Sequence, residues 1–149
     1  MGEPSAAIGP VKVLVIEDNA DDRELLLRQL RKSGLGEHVK FISDGKEALD
    51  LLTGPDGPPP SDLIIILLDL RLPSLSGLEL LRRLRALPRF QTLPVTVMTS
   101  SIDPRDLEEC RRLNVVNYLT KPVTFDSFSK AVADIFHPPK PAGEPAAGT

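Results

Sequence analysis

Cysteine is nearly absent. Of 149 residues only Cys110 carries a thiol, so no internal disulfide can form, and no Cys-x-x-Cys or Cys/His spacing suggests structural zinc or dithiol redox chemistry. A reducing compartment fits, and the chain is expected to be cytoplasmic. Excess basic charge is also missing: 18 Lys and Arg against 21 Asp and Glu give a formal charge of −3. Without a broad positive field or an arginine-rich arm, nucleic acid is not expected as a direct partner. No apolar run approaches the roughly 18 to 20 residues of a membrane span, so no membrane association is expected. The start "MGEPSAAIGP" lacks the basic and apolar segments of a secretory signal.

Proline, by contrast, is plentiful, and its placement organises the chain. Ten of the fifteen prolines fall in three places: two within residues 1–10, four within 55–60 and four within 138–149. Such segments lie outside regular structure. The other five, Pro73, Pro88, Pro94, Pro104 and Pro122, each sit at an expected element boundary. We therefore expect one folded domain over residues 11–137, a flexible N-terminus over 1–10 and a Pro-rich disordered tail over 138–149. A hydrophobic content of 41% suits a single core of that size. No internal repeat is visible.

Between the prolines, strand and helix patterns alternate. "VKVLVIE" (11–17), "VKFI" (39–42), "LIIILLD" (63–69), "VTVMTS" (95–100) and "VNYL" (116–119) are short and aliphatic or β-branched, as strands buried on both faces should be. The segments between them carry helical periodicity and start signals. Asp44 with Glu47 and Ser76 with Glu79 have capping-box spacing, and Asp103 precedes a proline at the first helical position. Gly34, Gly54 and Asn114 suit helix C-termini that need a left-handed backbone. In the pattern Leu107, Cys110, Leu113 the thiol reads as core. Five βα units imply an α/β, doubly wound parallel sheet, whose ligands sit at the carboxyl ends of the strands.

The polar residues at those ends define a site. The first strand ends at Glu17 and Asp18, the third at Asp69, and the fourth at Thr99 and Ser100; the fifth is followed by Lys121 and Pro122. Carboxylates brought close together repel, so one should be protonated unless a hard divalent cation joins them. Oxygen ligands in an incomplete protein cage favour Mg2+. Lys121 and Thr99 then remain as donors for a phosphoryl group. His38 and His137 lie outside this rim and read as surface residues.

The pieces "VLVIEDNADD", "DGKEAL", "LLDLRLPSLSGLELL", "LPVTVMTSS" and "NYLTKP" resemble the response-regulator receiver domain of two-component signalling, over residues 11–137. The resemblance implies a flavodoxin-like (βα)5 sheet in strand order 2-1-3-4-5, with Asp69 as phosphoacceptor. It implies metal binding by Glu17, Asp18, Asp69 and the carbonyl of Arg71. Phosphoryl binding would fall to Thr99, Lys121 and the Ser100 amide, and switching to Thr99 and Tyr118. The chain would then be a phosphoacceptor signalling protein, not an enzyme in the ordinary sense. A sensor histidine kinase is the implied donor. The wording around "VMTSSIDPRDLEECRRLNVVNYLTKPVTFDSF" is most similar to single-domain regulators that accompany bacterial phytochromes.

Output would pass through the fourth helix, fifth strand and fifth helix to a downstream protein, or onward to a phosphotransfer protein. No appended output domain is expected after residue 137. The last helix holds Phe125, Phe128, Val132, Ile135 and Phe136, more apolar surface than a single narrow stripe, which raises the expectation of a homodimer through that face. Two alternatives stay open: an aspartyl-phosphate phosphohydrolase, weakened because Arg71 stands where such enzymes carry a second aspartate, and a degenerate receiver serving only as a docking module. Arg71 also departs from the Asn that many receivers carry there.

Overall fold

A computed structural model describes residues 11–136 except 56, 60, 61, 101, 102 and 116, with the backbone alone described at 132 and 134–136. Five strands, β1 (Val13–Ile16), β2 (Val39–Ile42), β3 (Ile65–Asp69), β4 (Val95–Thr99) and β5 (Asn117–Thr120), alternate with five helices. These are α1 (Ala20–Lys32), α2 (Gly45–Thr53), α3 (Gly77–Arg85), α4 (Pro104–Arg112) and α5 (Phe125–Phe136). The strands form one parallel sheet in the order β2-β1-β3-β4-β5, the order the resemblance implied. In register, Val13 lies beside both Val39 and Ile65, while Asp69 lies beside Met98.

Strand alternation divides the core into two layers. Leu14, Ile16, Ile66 and Leu68 pack with Ala48 and Leu52 of α2 and with Leu80, Leu81 and Leu84 of α3. Val13, Val15, Ile65 and Leu67 pack with Leu26 and Leu30 of α1 and with Phe128 and Ala131 of α5. Every residue of β1, β3 and β4 is buried, which is why those segments are dominated by aliphatic and β-branched residues and do not alternate apolar with charged ones.

The start signals act as expected. The Asp44 carboxylate accepts from the Glu47 amide at 3.0 Å, the Ser76 hydroxyl from Glu79 at 3.2 Å, and the Asp103 carboxylate from Arg105 at 2.8 Å. Gly34 and Asn114 have φ of 78° and 59°. Gly54 does not: its φ is −93°, so a left-handed backbone is not what it provides. A Cβ there would lie 2.7 Å from the Asp50 carbonyl oxygen, so close approach is its role. The strands are also trimmed at their ends. Pairing nonetheless reaches past the bounds of β1, since the Lys12 amide donates to the His38 carbonyl and Ile64 donates to the Lys12 carbonyl, each at 2.8 Å.

The Cys110 expectation holds, and burial along α4 and α5 is uneven. Cys110 is fully buried, and burial pushes its thiol up to about 11, but Leu107 in the same pattern is 38% exposed. Phe128 is core, whereas Phe125 is 39% exposed, with the Lys32 ammonium 5.3 Å from its ring centre. The side chains of Val132, Ile135 and Phe136 lie outside the described residues, as do His137 and the segments 1–10 and 138–149. The surface invoked for a homodimer is thus represented on α5, among the described side chains, by Phe125.

Arg85 ties the far end of α3 to two neighbouring segments. Its guanidinium donates to the carbonyls of Phe90 at 2.6 Å, Leu113 at 2.8 Å and Asn114 at 3.3 Å. Hydrogen bonds from charged donors contribute about 1.5–3 kcal/mol each when removed singly, and sharing one side chain makes them far from additive. Arg85→Met is therefore expected to lower the unfolding free energy by about 2–3 kcal/mol in urea titration.

Candidate phosphoryl and metal site

Each functional side chain is placed by a strand end or the turn after it. Glu17 follows β1 directly, its amide donating to the Ile42 carbonyl of β2 at 2.9 Å. Its carboxylate accepts from the Asn19 amide at 3.1 Å. Asn19 caps α1, its side chain accepting from the Asp22 amide at 2.9 Å, so the chain turns sharply from sheet to helix and leaves Asp18 exposed at the corner. Asp69 closes β3 at 5% exposure and accepts from the Arg71 amide at 3.0 Å. That turn is tight because Gly77 has no side chain: a Cβ there would lie 2.3 Å from the Asp69 carbonyl oxygen, and the Gly77 amide donates to Leu70 at 3.0 Å. The Lys121 amide donates to the Thr99 carbonyl at 2.9 Å, anchoring the lysine loop to the end of β4.

Of the rim residues expected to converge, Glu17, Asp18, Asp69, Ser100 and Lys121 line one cleft, and Thr99 is not among its lining residues. Carboxylate oxygens of Glu17, Asp18 and Asp69 lie within 4.8 Å of one another. The ammonium of Lys121 sits among the acids, 2.6 Å from Glu17 Oε1, 2.9 Å from Asp69 Oδ2 and 3.0 Å from Asp22 Oδ2. Asp18, Arg71, Ser100 and Pro122 complete an open cleft of about 710 Å3 around them. Thr99 is buried. Tyr118 lies on β5 opposite Val97, two positions before the partner of Thr99, so both alternate onto the same sheet face.

The structure adds one residue that the strand-end rule did not supply, Asp22. It stands in the first turn of α1, where an acid is ordinarily explained by the helix dipole. The signal that could have found it is the cap at Asn19, which sets Asp22 three residues on, within reach of the rim.

Electrostatically the cluster is over-supplied with acids: three carboxyl groups surround the Lys121 ammonium, and a fourth, Asp18, lies beside Glu17 and Asp69. Glu17 is fully buried. Burial pushes its carboxyl up to about 7 against the opposing pull of Lys121 and the Asn19 amide, and Asp69 pushes it further. Burial alone would depress Lys121, but Glu17, Asp69 and Asp22 outweigh that and raise it. The buried Glu17 Oε1 has no hydrogen bond of good geometry; its 2.6 Å contact with Lys121 is an off-axis ion pair. Three convergent carboxylates, one with an incompletely satisfied oxygen, fit a hard oxygen-seeking ion such as Mg2+.

The raised Glu17 value carries a pH dependence. The native chain holds a proton that the unfolded chain releases between the ordinary value of 4.5 and about 7. Metal-free stability should therefore fall as pH rises across that interval and level off above it. Thermal denaturation over a pH series should show this fall for the wild type relative to Glu17→Gln, which has nothing to titrate there.

Comparison with known proteins agrees with this geometry. Residues 13–133 match the family model described as the response regulator receiver domain. The probable methanogenesis regulatory protein FilR2 of Methanothrix harundinacea is 34% identical over 134 residues, covering 90% of this chain and 86% of that protein. The solved bacteriophytochrome response regulator RtBRR is 34% identical with a TM-score of 0.72, over 94% of this chain and 86% of its own. A second, AtBRR, is 36% identical with a TM-score of 0.71, over 91% and 99%. With an acidic strand-end cluster, a lysine bound into it and a family match over most of its length, the chain belongs to the response regulator receiver domain family of two-component signalling.

Proposed function

We propose that Asp69 accepts a phosphoryl group from the phosphohistidine of a sensor histidine kinase in an Mg2+-dependent reaction. The single observation that carries this reading is the position of Asp69: a nearly buried carboxylate at the end of β3, 2.9 Å from the Lys121 ammonium and grouped with Glu17 and Asp18. A carboxylate so held is a nucleophile that faces the open cleft. As it attacks in line, an oxygen–phosphorus bond forms and the phosphorus–nitrogen bond to histidine breaks, the electron pair leaving with the imidazole. Lys121 and the Thr99 hydroxyl, with the Ser100 amide, receive the oxygens of the incoming group. Bound at Glu17, Asp18, Asp69 and the Arg71 carbonyl, Mg2+ would neutralise charge that the single ammonium leaves uncompensated.

The added charge beside Thr99 is read out through Tyr118. Movement of the threonine toward the phosphoryl group opens space behind it on the shared sheet face, and the aromatic side chain can fill that space. The face formed by α4, β5 and α5 then changes its affinity for a downstream protein, a phosphotransfer protein or a second copy. Similarity to RtBRR and AtBRR supports a bacteriophytochrome as the cognate kinase, and a cytoplasmic location follows from that partnership. Among the described residues no helix is long and apolar enough to cross a membrane.

Incubation with acetyl phosphate and Mg2+, followed by intact mass measurement, tests the reading. One retained phosphoryl group is expected. Continuous release of phosphate from varied esters, with no retained group, would instead favour a phosphohydrolase.

A further inference from the structure

We propose that Asp22 is the positioning residue for Lys121: it keeps the ammonium at the rim of the cleft when a divalent cation takes over Glu17 and Asp69. This inference rests on the reading that the cluster binds Mg2+ for phosphoryl transfer.

Two overlapping sets of acids meet at the site. Glu17, Asp18 and Asp69 form the group able to share a cation. Glu17, Asp22 and Asp69 surround the lysine, at 2.6, 3.0 and 2.9 Å. Glu17 and Asp69 belong to both sets, so lysine and cation compete for them. Asp18 serves the cation, and Asp22 serves the lysine. Its backbone is fixed by the bond from its amide to the Asn19 side chain at 2.9 Å, and its side chain is 29% exposed, so it holds the lysine from the cleft side. Arrival of a cation withdraws two of the three lysine partners and leaves Asp22 as the charged group that retains it. Loss of Asp22 thus harms the metal-bound state, in which it is the remaining partner, more than the metal-free state, in which two others stay.

The sign follows: removing the Asp22 charge weakens cation binding, and does so through Lys121. Mg2+ titration by calorimetry on the full chain separates this from simple loss of a nearby negative charge. Asp22→Asn is expected to weaken Mg2+ binding about tenfold in the otherwise wild-type chain, the scale of one charge-assisted hydrogen bond. Asp22→Glu should restore affinity. In a Lys121→Met background the same Asp22→Asn change should alter affinity by no more than about threefold, the scale of a partly exposed, screened charge. Asn preserves the backbone bond to Asn19, and far-ultraviolet circular dichroism checks the fold of each variant. Equal losses with and without Lys121, or no loss in the wild-type background, would overturn the assignment of Asp22 while leaving Mg2+ binding itself in place. Failure of the wild-type chain to bind Mg2+ would overturn the metal reading, and this assignment with it.

Discussion

Asp69→Asn takes up no phosphoryl group from acetyl phosphate or from a cognate kinase, and it does so as a folded protein. The amide is not a nucleophile, and neither Glu17 nor Asp18 can replace it: Glu17 is fully buried, and Asp18 lies out at the corner of the cleft. The expected loss is to background. Stability should change in the other direction. The asparagine oxygen still accepts from the Arg71 amide, the Lys121 bond to the second oxygen is lost while Lys121 keeps Glu17 and Asp22, and one charge is removed from an acid-rich cluster. Because Asp69 helps raise Glu17, its neutralisation lets Glu17 ionise at lower pH and lie more comfortably beside Lys121. Urea unfolding of metal-free Asp69→Asn should show stability equal to the wild type or greater by about 1 kcal/mol, the scale of removing one like-charge neighbour. A variant that fails to fold, or one that is still labelled, would contradict the placement of Asp69 as both nucleophile and surplus charge.

Lys121→Met has the largest expected effect on stability. The substitution removes the one ammonium that, among the described residues, reaches Glu17, Asp22 and Asp69, and leaves a fully buried carboxyl beside two others. Breaking a buried pair by deleting one partner typically costs about 3–5 kcal/mol. Part of that is recovered because Glu17, already raised to about 7, can take up a proton and become neutral, so a loss of about 3 kcal/mol at neutral pH is expected, shrinking as the solution is acidified. Mg2+ should reverse the loss more effectively than it stabilises the wild type, because the cation no longer competes with the lysine. Phosphoryl transfer should nevertheless remain slow, by about 10²–10³-fold, since without Lys121 the site keeps the Thr99 and Ser100 donors but loses its one charged donor to the transferring group. Urea titrations with and without Mg2+, paired with transfer rates, check both halves. A variant as stable as the wild type and indifferent to Mg2+ would show that Lys121 is a solvated loop charge.

Much of this was legible in the sequence because burial on both faces writes itself into composition. The runs at 13–16 and 65–68 are aliphatic throughout, so a carboxylate closing such a run, as Asp69 does, had to lie at the sheet rim. The caps at Asp44, Ser76 and Asp103 were readable for a similar reason, since the local bond that each makes depends on only a few neighbouring residues. What was not legible depends on distant contacts. Gly54 was read as a backbone-angle residue, whereas its constraint is the closeness of the Asp50 carbonyl. Leu107 shares the spacing of Cys110, yet the turn of α4 leaves it at the surface. Asp22 has an ordinary explanation in its own helix, and its second role appears only when the loop from β5, 99 residues away in sequence, brings Lys121 against it. The strand order came from family resemblance, not from any property of the segments themselves.

The claim at the centre is that acids gathered at one edge of the sheet form a seat for a divalent ion, with Lys121 holding that seat in its absence. Calorimetric titration of the wild-type chain with Mg2+, set beside Asp18→Asn and Asp69→Asn, addresses it most directly. A single ion bound per wild-type chain, with affinity falling by about tenfold or more in each variant, is the expected result. A wild-type chain that takes up no Mg2+, or variants that bind it as tightly as the wild type, would contradict it.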